Sequence, residues 1–177
     1  MPPVEDPDLQ SIVKLASQRQ EVVEAVTALY GRLQAAVDQR RPRCDISGRC
    51  CRFEEFGHRL YVTTIELAAF CAPLPSGRPA GPPPPWDGRG CPFQQNRLCG
   101  VHPIRPMGCR LFFCDSTSDQ WQHEQYEAFH RQLRQMHDAF AVPYRYMEWR
   151  AALRALRIAK ETVANAGVSL TINGRQC

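Results

Sequence analysis

The chain has 177 residues and a formal charge of +4, with 44% hydrophobic and 23% charged residues. That length supports one domain with its own apolar core, and the composition is that of an ordinary globular protein. The charge is too mild for a nucleic-acid-binding arm, and no stretch approaches the ~18 consecutive apolar residues of a membrane span, so neither nucleic acid nor membrane is an expected partner.

The first residues, MPPVEDPDLQSIVKL, are acidic and carry no basic segment leading into an apolar run, so no secretory signal is expected. The expected location is therefore the cytoplasm, where thiols stay reduced. Residues 8–41 are predicted to be helical. Val22, Val26, Leu29, Leu33 and Val37 recur at steps of three and four, with polar residues between them. A similar stripe of Leu9, Ile12, Val13 and Ala16 is interrupted at SQRQE, which predicts two helices or one with a phase shift. Arg41-Pro42 ends the region, because a residue before proline is biased out of the helical basin.

A loop, RPRCDISGRCCRF, comes next. In HRLYVTTIELAAFC a short extended piece leads into a helix, with Thr63 and Glu66 spaced as a capping box. Residues 73–90 hold seven of the fifteen prolines and read as a semi-rigid surface linker. Residues 91–114 lack periodicity and contain Pro92, Pro103 and Pro106, which suits an irregular loop wrapped on a site. A long helix is predicted from about Asp119 to Ala141, with Tyr126, Phe129, Leu133, Met136 and Phe140 along its core face, stopped by Pro143. A last helix from about Tyr144 to Val163 is expected to turn Trp149, Leu153 and Leu156 inward. Its arginines (Arg150, Arg154, Arg157) are read as a solvated face, and the tail from Asn165 to Cys177 as loose.

The expected fold is mainly α: a small single domain of helices around an irregular cysteine-rich metal-binding core. Its parts are a helical region at 1–42, a cysteine-cluster core at 43–115 and C-terminal helices with a tail at 116–177.

Eight of the nine cysteines lie between Cys44 and Cys114. Cys71 reads as a buried small hydrophobe. That leaves Cys44, Cys50, Cys51, Cys91, Cys99, Cys109 and Cys114. An odd count in a reducing compartment disfavours disulfides and favours metal binding or redox chemistry. No CxxC knuckle occurs, which weakens a simple zinc reading. Wide, loop-borne spacings suit an iron–sulfur cluster, and seven thiols exceed the four that one structural site needs. Adjacent Cys50 and Cys51 point to opposite sides if the backbone is extended, so one is open to a second role. Arg105 and Arg110 flank Cys109 and are candidates to tune a negatively charged cluster. His102 is a weaker ligand candidate.

Cys-(five)-Cys-Cys, the helix opening VTTIEL and CPF-(five)-C-x-V-x-x-x-RP-x-x-CR-x-F-x-C together resemble the YkgJ-like cysteine-cluster family, a zinc- or iron-chelating domain with a CxxCxxCC signature. The likeness covers roughly residues 40–115, and PYRYMEW is also similar to the segment beyond the cluster in that family. The signature's second cysteine is Ser47 here. The resemblance implies a metal-ligand pool of Cys44, Cys50, Cys51, Cys91, Cys99, Cys109 and Cys114. It implies an iron–sulfur cluster of the 4Fe-4S type, or zinc. Flagellin lysine methylases, distant relatives of that family, are similar only in the cysteine core.

Three functions are therefore expected. The first is an iron–sulfur protein in electron transfer, sensing or service to a partner enzyme. The second is a methyltransferase-like enzyme using the cluster with S-adenosylmethionine. The third is a structural zinc module for protein interaction.

Overall fold

The computed structural model describes residues 8–72 and 86–159. It is mainly helical. Helix α1 (Leu9–Ser17) starts at Asp8, whose carboxylate accepts from the Ser11 backbone N–H at 3.1 Å. Helix α2 (Gln20–Arg40) begins after a break at Gln18 and Arg19, so the interrupted stripe is two helices. Arg41 closes α2 in the left-handed region with φ of 51°. A four-residue helix α3 (Phe53–Phe56) precedes strand β1 (Tyr61–Thr63) and helix α4 (Thr64–Cys71).

Beyond the gap come the hairpin strands β2 (Gln94–Gln95) and β3 (Leu98–Cys99), then helix α5 (Met107–Leu111). The long helix α6 (Asp119–Ala139), strand β4 (Tyr146–Glu148) and helix α7 (Trp149–Ala155) complete the order.

The apolar interior has two lobes. In the first, Val22, Val26, Leu29 and Leu33 of α2 meet Ile65 and Ala68 of α4 and Phe129 and Leu133 of α6. Leu29, Leu33 and Leu133 are wholly buried, each contributing on the order of 2–3 kcal/mol. The predicted core face of α6 is real. His137 joins it, bonded through Nδ1 to the Val142 carbonyl at 2.9 Å. In the second lobe, Val13, Phe53, Val62, Phe70, Phe93 and Trp149 pack around Cys51 and Cys91.

The capping box forms as expected. Glu66 accepts from the Thr63 N–H at 2.9 Å and from its hydroxyl at 3.0 Å. Its other oxygen accepts from the Met107 N–H at 2.9 Å and from Tyr30 Oη at 3.2 Å. One buried carboxylate thus joins α2, α4 and the start of α5.

The C-terminal expectation needs correcting. Residues 146–148 form a strand, not helix, pairing antiparallel with β1 in the register Tyr61 to Glu148 and Thr63 to Tyr146. The Trp149 N–H donates to the Leu60 carbonyl at 2.8 Å, and Tyr61 stacks on Tyr146 at 5.2 Å. RYME, with Tyr146 at its centre, suits a half-buried ribbon, and a long-range partner outweighs its weak helical period. The helix begins only at Trp149, where Glu148 caps by accepting from the Ala151 N–H at 2.9 Å. Trp149, Leu153 and Leu156 are buried as predicted.

Of the three arginines read as a solvated face, Arg154 and Arg157 are exposed and Arg150 is not. Arg150 is half-buried, paired with Glu148 and Glu54, and lies over Phe53. Arg154 lies over Trp86. Most of the proline-rich segment, the predicted helix beyond residue 159 and the tail lie outside the described residues. No helix among the described residues is long and apolar enough to cross a membrane.

Candidate metal centre

Two glycines with left-handed backbones bring the cysteine segments together. Gly48 (φ 70°) opens a tight 3-10 turn, Arg49–Cys51, and a Cβ there would meet Gln94 Nε2 at 2.5 Å and the Arg97 carbonyl at 2.9 Å. The Gln94 side chain instead donates to the Gly48 carbonyl at 2.8 Å. This seats the Cys50–Cys51 turn on the β2–β3 hairpin that carries Cys99. Asn96 and Arg97 make the hairpin's two-residue turn, with φ of 48° and 66°. Gly90 (φ 60°) lets the chain pass against Cys51, and the Cys91 N–H donates to the Cys51 carbonyl at 2.7 Å.

Because Cys50 and Cys51 occupy a tight turn and not an extended strand, their thiols interact. The buried Cys51 is the hub, with its thiol interacting with those of Cys50, Cys91 and Cys99. It has one S–H to give, so it serves one neighbour at a time; its own thiol is held strongly protonated while theirs become more acidic. The Cys51 hydrogen bond is the main cause that brings Cys50 down to about 6. Burial opposes this, and the Arg105 charge assists. Cys99 falls to about 7, again mainly through Cys51, with the Val101 N–H and Arg105 adding to it. Cys91 is lowered by Cys51 first, then by the Phe93 N–H and the Trp149 indole. Cys109, on α5, is pushed well up by burial and by the charges of Cys91, Cys99 and Cys50.

Two buried donors face this group. Trp149 Nε1 and Arg105 Nε have no hydrogen-bond partner. The indole nevertheless lies near enough to Cys91 to lower its thiol, and the guanidinium charge acts on Cys50 and Cys99. An unmet N–H inside a protein is costly unless a sulfur takes it.

Of the seven cysteines read from the sequence, the fold therefore groups Cys50, Cys51, Cys91, Cys99 and Cys109. It sets Cys44 and Cys114 on a neighbouring seam. There the Arg43 N–H bonds the Asp115 carboxylate at 3.1 Å, and Ser47 Oγ lies 3.6 Å from Cys114 Sγ. Cys44 is exposed. Cys71 is buried in the second core lobe, as the small hydrophobe expected, but is not a free thiol.

The two flanking arginines divide in the same way. Arg105 stands among the thiols, whereas Arg110 donates to the carbonyls of Arg105 and Pro103, each at 2.8 Å, and lies over Tyr30. Arg110 braces the loop that presents Arg105. His102 is held below its ordinary value by burial and by the two arginines. The role of Trp149 was not legible from the chain, where it reads only as a core residue.

Among the described residues, no three or more His, Cys, Asp or Glu side chains close on one point as the ligand shell of a single ion. The thiols are gathered but still hydrogen-bonded to one another. Compared with protein-family models, with curated proteins and with solved structures, the chain matches none.

Proposed function

We propose that this chain is a metal-binding protein of the YkgJ-like cysteine-cluster kind. It holds an iron–sulfur cluster of the 4Fe-4S type through Cys50, Cys51, Cys91 and Cys99, with Cys109 beside them. The carrying observation is the hub at Cys51, whose thiol interacts with three other thiols while two buried N–H donors next to them lack a hydrogen-bond partner. Thiolates bound to a cluster carry negative charge and accept such N–H donors, so the donor set suits the group. When bound, a cluster of this kind supplies a one-electron couple.

The protein's own share is plain. The Cys51–Cys91 backbone bond sets the sulfur separation, Trp149 and Arg105 hold charge on the thiolates, and the second core lobe keeps water from the buried side. The role proposed is electron transfer or sensing in the cytoplasm, delivered to a partner protein.

Zinc is the second reading: the hub and its three neighbours supply four sulfurs, the number a tetrahedral ion takes, although they do not close on one point in this structure. Anaerobic purification and then iron, zinc and acid-labile sulfide analysis separate the two. Brown protein with absorbance near ~400 nm and sulfide matching iron supports the cluster. Colourless protein with one zinc per chain replaces it with the second reading, and protein binding neither metal removes both.

A further inference from the structure

An open cavity of about 310 Å³ lies beside the thiols, bounded by α5, α6 and the β1–β4 ribbon, with Cys50 and Cys109 in its wall. Three aromatic residues that line it also face water: Tyr61 is 36% exposed, Phe112 37% and Tyr146 41%. Exposed rings grouped around one concave surface mark a place where an apolar body sits. The walls are flat. Tyr61 and Tyr146 stack within 22° of parallel, and His58 and Phe112 within 19° at 4.6 Å.

The polar groups are few and point to a ligand's sign and shape. Neither aspartate nor glutamate lines the cavity, while Arg59 does, and its guanidinium has no hydrogen bond or ion pair among the described residues. Tyr126 and Tyr146 share one hydroxyl–hydroxyl bond of 2.6 Å, and their hydroxyls have no other hydrogen-bond partner among those residues. One phenol proton is therefore available to an acceptor. His58 Nε2 lies 3.3 Å from the Cys50 carbonyl and donates to it, which leaves its buried Nδ1 without a partner.

We propose that this cavity binds a planar aromatic molecule bearing a carboxylate or comparable anionic group. Its ring lies against Phe112 and the tyrosine pair, and its charge is met by Arg59 and the spare phenol proton. A cationic ligand is disfavoured because the rings would have to hold it beside an unpaired guanidinium. The site stands on its own lining and does not require that the thiols hold a metal, although its occupant would touch two of them.

The test is calorimetric titration of the full chain with 2-naphthoate, with 2-naphthylmethylamine and cyclohexanecarboxylate as controls, and with iron and sulfide measured on the same samples. One saturable site for 2-naphthoate is expected, with both controls weaker. Phe112→Ala should weaken it about tenfold through the lost ring contact. Arg59→Ala should weaken it by up to about fivefold through the lost exposed charge. Both side chains are exposed enough that the fold survives, which unchanged circular dichroism verifies. Absence of saturable binding, tighter binding of the amine, or an affinity unchanged in both variants overturns the proposal. Naphthoate binding to protein lacking metal would leave the cavity standing and count only against the metal reading.

Discussion

The Cys91 backbone N–H donates to the carbonyl oxygen of Cys51 at 2.7 Å, which locks together two thiols from segments far apart in the chain. Gly90 is the hinge of that contact. Its φ is 60°, and an added Cβ would lie 2.7 Å from the same carbonyl oxygen. Gly90→Ala should therefore destabilise the fold by about 1–3 kcal/mol, combining left-handed strain with a backbone clash. Urea unfolding measures this, and metal content should fall in parallel. A midpoint equal to that of the parent would mean the passage is not tight.

The thiols should divide by substitution as they divide in space. Cys51→Ala and Cys91→Ala are expected to abolish metal content, since the first removes the hub and the second the indole-bonded sulfur. Cys44→Ala should leave it intact, because that side chain is exposed. Metal analysis of the three purified variants decides, and equal loss in all would place the centre elsewhere.

Trp149→Phe keeps a large ring against Phe70 and Phe93 but deletes the indole N–H. Its stability cost should be small, about 1 kcal/mol, because the ring area is mostly conserved. Losing a donor to sulfur makes added negative charge less welcome, so the reduction potential should move to more negative values. Protein-film voltammetry reads the shift, and an unmoved potential would remove Trp149 from the sulfur environment.

Glu54 supplies a pH test. Although burial pushes the other way, the Gly90 N–H at 2.7 Å and the Arg150 guanidinium hold its carboxyl down at about 2. A carboxyl lowered on folding stabilises above its unfolded value, near ~4.5, and loses that contribution as pH falls through the folded one. Glu54 is 39% exposed, so solvent screening keeps the effect modest. Glu54→Gln should thus lower the urea midpoint at pH 7, with the gap from the parent shrinking between about pH 4.5 and 2. A gap independent of pH would show that charge is not involved.

Glu66 runs in the opposite direction. Burial raises its carboxyl although Thr63, Met107 and Tyr30 all donate to it. A carboxyl raised on folding gives stability that is whole below its unfolded value and declines as pH rises toward the folded one. Glu66→Ala would strand four donors from three residues and should cost at least about 3 kcal/mol, read as a loss of thermal midpoint. A variant as stable as the parent would contradict the network.

The capping box, α1, α2 and α6 were legible because local pattern and tertiary burial agree at Thr63, Glu66, Val26, Leu29 and Leu133. Strand β4 was not, because RYME gains its bonds from Tyr61–Thr63, distant in sequence, and no local period announces that. Helix α5 was missed for a related reason: its five residues are too few to show a repeat, and its first N–H is met by Glu66 of another helix.

The chain order alone marked the candidates for a metal site: the thiols, the arginines beside Cys109 and the serine at position 47. Sulfur identity and spacing are written locally, so composition suffices to find them. Only the three-dimensional packing decided that Cys50, Cys51, Cys91, Cys99 and Cys109 meet while Cys44 and Cys114 turn to another seam. The reason is physical. That partition depends on two left-handed glycines, one backbone N–H bond between distant segments and an indole from late in the chain, and each acts only once the helices have closed.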